Sequence, residues 1–104
     1  MSIPKLRDLK QLPQGSAVIW FSATWCGPCK KIDTRTLSER SAELRVPVFH
    51  CDVDDAESVA THFGITSVPT FLLVKNGQSL NPSVTSSGAS TQSWLRVLKI
   101  AASE

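Results

Sequence analysis

The longest uninterrupted apolar run, Ala17-Val18-Ile19-Trp20-Phe21, does not alternate with polar positions. With its flanking serines it predicts a strand over 16–22, rich in β-branched and aromatic residues and covered on both faces. Upstream, residues 2–4 read as a short edge strand, and Leu6, Leu9 and Leu12 recur at helical spacing until Pro13-Gln14-Gly15 forces a turn. Downstream, Ile32, Thr36, Leu37 and Leu44 form the inner stripe of a helix over 28–44, with Arg35, Arg40, Glu39 and Glu43 on its solvent side. Residues 46–53 read as a second long strand, where Pro47 is tolerable near the start. Asp54-Asp55 predicts a cap and first turn for a helix through Phe63, which Gly64 ends. A third long strand over 70–75 turns at Asn76-Gly77 into a weaker one over 80–86. A last helix over 90–102 buries Trp94, Leu95, Leu98 and Ala101 or Ala102.

The predicted order is β-α-β-α-β-α-β-β-α. Strands joined through helices are parallel, and the Asn76-Gly77 hairpin is antiparallel, so an α/β fold follows with a mixed sheet and helices on both faces. No repeat or linker divides it. At 104 residues the chain is long enough for one domain, 1–104, with its own core. A formal net charge of +2, with basic residues scattered from Lys5 to Lys99, gives no basic patch for nucleic acid. The apolar runs fall far short of the ~18 residues of a membrane span, and the first residues lack the apolar stretch of a signal peptide. Three cysteines make a secreted disulfide framework improbable and suit a reducing compartment, with the cytosol as default.

The chemistry concentrates at Thr24-Trp25-Cys26-Gly27-Pro28-Cys29-Lys30. Two cysteines two residues apart can close a small disulfide ring, bind a metal or react in turn. At the start of a helix, residues three apart are neighbours, so Cys26 and Cys29 can reach disulfide geometry. Unpaired N–H groups there stabilise a thiolate, most of all on the nearer and more exposed sulfur, which is expected to be Cys26. That assigns Cys26 as nucleophile and Cys29 as resolving thiol. The alternative is zinc, needing two more ligands from His50, Cys51 and His62. His50 and Cys51 are consecutive in a strand and point to opposite faces, so no metal site is expected.

The hexapeptide Trp25 to Lys30 resembles the active-site signature of the thioredoxin family, and the element order matches that family's fold over essentially the whole chain. The resemblance implies a sheet of about five strands flanked by four helices. It implies a protein-disulfide reductase that works by thiol–disulfide exchange without metal or organic cofactor. Gly-Pro inside the motif is the family's pattern for a reductant; an oxidase or isomerase, or a scaffold whose redox chemistry is secondary, are the rival readings. Val68-Pro69-Thr70 alone could be a plain strand start, but the family places a cis-proline there, facing the dithiol. Val68 would then offer its backbone to an extended substrate, and Trp25, Gly27, Pro28, Val68, Pro69, Gly88 and Ala89 would form the contact surface. Family members reduce targets such as peroxiredoxins or ribonucleotide reductase and are recharged by an upstream reductase or a small dithiol. A monomer is expected.

Three departures stand out. Trp20 occupies the position of the family's buried aspartate, which is thought to move the proton on and off the resolving cysteine; an indole donates only and cannot act as a base. His50 stands where the family often has a lysine, and is a candidate substitute for that acid. Thr34 replaces the family's helix proline, which predicts a straighter helix after the motif. Lys30 could favour the thiolates but reads first as a solvated helix-surface lysine. Cys51 reads as a small buried residue, and Trp94 as core.

Overall fold

The computed structural model describes residues 3–80 and 83–104. Its sheet is built from β1 (Ser16–Ser22), β2 (Val48–Asp52), β3 (Thr70–Lys75), β4 (Gln78–Ser79) and β5 (Thr85–Ser87), and its helices are α1 (Thr34–Leu44), α2 (Glu57–His62) and α3 (Thr91–Ser103). The order across the sheet is β2-β1-β3-β4, with β5 also on β3. β1 runs parallel to β2 through the α1 crossover and antiparallel to β3, which in turn pairs antiparallel with β4 and β5.

β1 and β3 have the bounds their apolar runs predict. Side chains alternate between the faces of β1, and both faces are covered. Val18 and Trp20 join Phe71 and Leu73 of β3, Leu37 of α1, and Trp94, Val97 and Leu98 of α3 in one core. Ala17, Ile19 and Phe21 join Leu72, Val74, Cys51 and Val59 of α2 in the other. At the hairpin, Asn76 and Gly77 take positive φ values of 54° and 78°, the pair of left-handed residues that a two-residue turn requires. The Asn76 side chain also accepts from the Gly15 N–H at 2.7 Å, tying this turn to the one that launches β1.

Several expectations are corrected. There are three α-helices rather than four. The leucine pattern over 6–12 yields only a 3-10 turn, Leu9–Gln11, started by the Asp8 cap and stopped by Pro13, which cannot extend a helix. The continuous, straighter helix from Pro28 does not form. Pro28–Lys31 is a 3-10 turn, Ile32 is extended, and Asp33 starts α1 afresh by accepting from the Thr36 N–H at 3.1 Å and the Thr36 hydroxyl at 2.7 Å. Replacing a proline did not lengthen the helix, because Asp33 competes for the backbone as a cap.

The cap of α2 is Ala56; Asp54 and Asp55 belong to the preceding turn, held by the Asp52 carboxylate accepting from the Asp54 N–H at 2.9 Å. The edge strand over 2–4 reduces, within the described residues, to a bridge: the Leu6 N–H donates to His50 O at 2.8 Å, and the His50 N–H to Pro4 O at 2.9 Å. Of the weak strand expected over 80–86, only Thr85 and Ser86 fall in a strand, β5; β4 forms earlier, at Gln78–Ser79, and Asn81 and Pro82 lie outside the described residues.

Candidate active site

β1 ends at Ser22, and the next three residues carry the chain beyond the end of the strand to Cys26, whose N–H donates to Ala23 O at 3.1 Å. Pro28 opens the short turn that follows, where its missing N–H costs nothing. Cys26 and Cys29 are joined by a disulfide, with Cα atoms 5.3 Å apart. The expected difference in exposure is absent: Cys26 is 4% exposed and Cys29 6%. The two sulfurs differ instead in hydrogen bonding, because the Cys29 N–H donates to Cys26 Sγ at 3.2 Å. A four-residue turn offers little macrodipole, so this single N–H is the local electrostatic asymmetry of the pair.

Around the pair, Trp25 is 69% exposed, and its indole Nε1 donates to the Asp54 carboxylate at 2.8 Å. Gly27 and Pro28 are exposed beside it. The Val68–Pro69 peptide bond is cis. Val68 packs with Ala23, Cys26 and Cys29. Neither its N–H nor its C=O takes part in a backbone hydrogen bond among the described residues. Gly88, in the left-handed region at φ 97°, donates its N–H to Pro69 O at 3.3 Å, which brings the β5–α3 loop against the proline. Ala89, by contrast, packs against the α1–α3 core rather than onto the dithiol.

Behind the disulfide lies a cavity of about 350 Å³ bounded by Cys29, Lys30, Trp20, Ser22, His50 and Asp52, among others. Trp20 is flat against His50, with ring centroids 4.2 Å apart, and continues into Phe71 at 6.1 Å. Its buried indole Nε1 has no hydrogen-bond partner among the described residues. His50 Nε2 is hydrogen-bonded to Ser22 Oγ. Burial, and secondarily the positive charge of Lys5, hold the imidazole below its ordinary pKa, with Asp52 opposing them. Trp20, Thr34 and His50 also line a larger cleft, of about 700 Å³, that opens beside α1. Lys30 is exposed.

On the other face of the sheet, Cys51 is fully buried, and burial pushes its thiol up to about 11, helped by Asp52 and Asp55. Its sulfur is therefore held as an unreactive thiol. Among the described residues no three His, Cys, Asp or Glu side chains converge as metal ligands. Among the described residues no helix is long and apolar enough to cross a membrane.

Ser22 and Asp54 were not singled out by the sequence. Asp54 looked like a helix cap, and nothing local links it to Trp25. Ser22 had a usable signal: it lies two residues beyond Trp20 on the same face of β1, and the parallel register sets Trp20 against His50.

The Thioredoxin family model matches residues 7–99. A thioredoxin of Ictalurus punctatus is 43% identical over 75 residues, covering 70% of each chain. Among solved structures, the Malassezia sympodialis thioredoxin superposes with a TM-score of 0.81 at 32% identity, covering 97% of this chain and 91% of its own. A chain from a study of the thiol-resolving mechanism in yeast mitochondrial 1-Cys peroxiredoxin superposes with a TM-score of 0.77 at 31% identity, covering 95% of each chain. Sequence and backbone agree with the cysteine pair at the end of β1: the chain belongs to the thioredoxin family, and is a thiol–disulfide oxidoreductase that reduces protein disulfides through Cys26 and Cys29.

Proposed function

We propose that Cys26 is the attacking thiolate and Cys29 the resolving thiol. The observation that carries this order is the hydrogen bond from the Cys29 N–H to Cys26 Sγ, which favours negative charge on Cys26. The Cys26 thiolate attacks one sulfur of a target disulfide; a Cys26–target bond forms, and the target's other sulfur leaves as a thiolate and takes up a proton. Cys29, once deprotonated, attacks Cys26 Sγ. The Cys26–Cys29 bond closes, the second target sulfur leaves, and two electrons have passed to the target. An upstream reductase or a small dithiol returns the pair to the dithiol state.

Trp25, Gly27 and Pro28 form the near rim of the target surface, with Val68, Pro69 and Gly88 opposite. The free backbone groups of Val68 suit an extended target segment, which would pair with them as an added strand. Ala89 supports the loop from beneath. A peroxiredoxin is the favoured target class, supported by the subject of the yeast study, and ribonucleotide reductase follows from the family resemblance. The protein acts as a cytosolic, single-domain monomer in this reading.

Insulin reduction tests the assignment. Cys26→Ser abolishes it, and Cys29→Ser abolishes turnover while accumulating mixed disulfides. Accumulation in Cys26→Ser instead would reverse the two roles.

A further inference from the structure

We propose that Ser22 and His50 form the proton relay for Cys29, with His50 as the acceptor. The inference rests on Cys29 being the resolving thiol. Its basis is the cavity behind the disulfide, which Cys29, Ser22, His50 and Asp52 line together. The parallel register of β1 and β2 sets Trp20 beside His50 and Ser22 beside Asp52, so these four side chains share one face of the sheet. Trp20 contributes no base, because an indole only donates. Among the side chains that bound the cavity, the imidazole is the one whose ordinary pKa, roughly 6.5, is matched to taking and returning a proton near neutrality.

The connection between His50 and the cavity is Ser22, whose Oγ is hydrogen-bonded to His50 Nε2. A hydroxyl can donate to the imidazole while accepting from the cavity side, and a space of about 350 Å³ is ample for water between it and the thiol. Trp20, stacked 4.2 Å from the imidazole, fixes the ring plane that keeps Nε2 on Ser22. The charged groups around the ring come from every side. Lys5 lies on the segment bridged to His50, Asp52 is on β2, Lys30 is across the cavity, and Arg35 and Glu39 are on α1 along the neighbouring cleft. Burial and Lys5 lower the imidazole pKa and so favour its neutral, accepting form, while Asp52 opposes them and favours the imidazolium once formed.

The step balances without a further reagent. The Cys29 S–H proton passes to Ser22 Oγ as the Ser22 proton passes to His50 Nε2. The thiolate electron pair forms the Cys29–Cys26 bond, the Cys26–target bond breaks, and the departing target thiolate receives the proton from His50 through solvent. When an incoming dithiol reduces the disulfide again, the proton lost by its attacking thiol passes through His50 and Ser22 to Cys29 as Cys29 leaves.

A chromogenic aromatic disulfide separates the steps in stopped flow, because attack by Cys26 releases one thiolate and resolution by Cys29 releases the second. His50→Gln and Ser22→Ala are expected to slow the second phase about tenfold at pH 7, below the full range of general-base effects because water remains a competing acceptor. The deficit closes above roughly pH 8.5, where solvent ionises a cysteine unaided. A second phase whose pH profile matches the unmodified protein in both variants overturns the relay. So does a loss confined to Asp52→Asn, which would make the carboxylate the acceptor. Failure of the underlying assignment looks different: with the two roles reversed, Cys29→Ser would release no thiolate and Cys26→Ser would release one.

Discussion

Asp54 controls the one large apolar side chain left in solvent at the site. An exposed indole is free to turn, and its hydrogen bond to Asp54 at 2.8 Å holds it at the rim of the disulfide. Removing that bond costs ordering of the target surface and leaves the sulfur chemistry untouched. Asp54→Ala is expected to raise KM for a protein disulfide about two- to fivefold, roughly 0.5–1 kcal/mol, as befits an exposed hydrogen bond. Turnover of a small aromatic disulfide, which needs no such surface, stays within the error of the assay. Steady-state kinetics on the two substrates checks this. Residue-scale chemistry was legible where it was local: Cys26, Cys29 and the indole-for-carboxylate exchange at Trp20 are all plain in the sequence. The Ser22–His50 and Trp25–Asp54 contacts were not, since each joins positions 28 or 29 residues apart that only the sheet register and the β2–α2 turn bring together.

At the scale of elements, α1 shows how one carboxylate sets a boundary that periodicity cannot see. The apolar stripe runs on from Ile32 to Leu44, yet Asp33 breaks it by capping Thr36. The same hydrogen bonds, chiefly from the Thr36 hydroxyl and then from its N–H, hold the Asp33 carboxyl below its ordinary pKa. A folded pKa below the unfolded one means the cap's contribution is complete above about pH 4 and is lost as pH falls through the folded value. Asp33→Ala is therefore expected to melt a few degrees lower at pH 7, with the difference shrinking as pH falls through that value; calorimetry across pH measures it. β1 and β3 could be read to the residue because each is a short apolar run, rich in β-branched and aromatic residues, bounded by turn signals. The 3-10 turns at Leu9–Gln11 and Pro28–Lys31 could not, because caps and prolines decide their length rather than hydrophobic period.

Across the whole molecule, Trp20, which the family resemblance sets at the position of a buried acid, also joins the site to the core. His50, Trp20, Phe71 and Trp94 follow one another as a column of rings, at centroid spacings of 4.2, 6.1 and 6.1 Å. Trp20→Ala would open that column and is expected to cost about 3–5 kcal/mol, seen as a large fall in melting temperature. His50→Gln removes only the edge of the column and melts much closer to the unmodified protein. His50 also predicts a pH slope. Its folded pKa lies below the unfolded value, so stability falls as pH drops from about 6.5 toward the folded value, and His50→Gln flattens that slope in denaturant titrations. On the proposed assignment, electrons leave through Cys26 and Cys29 closes the exchange. The most direct test of that assignment is peptide mapping of the mixed disulfide formed between Cys29→Ser and a disulfide-bonded protein target. The adduct is predicted on Cys26 alone, with the buried Cys51 unmodified; an adduct on Cys51, or full reduction of the target by this variant, would contradict it.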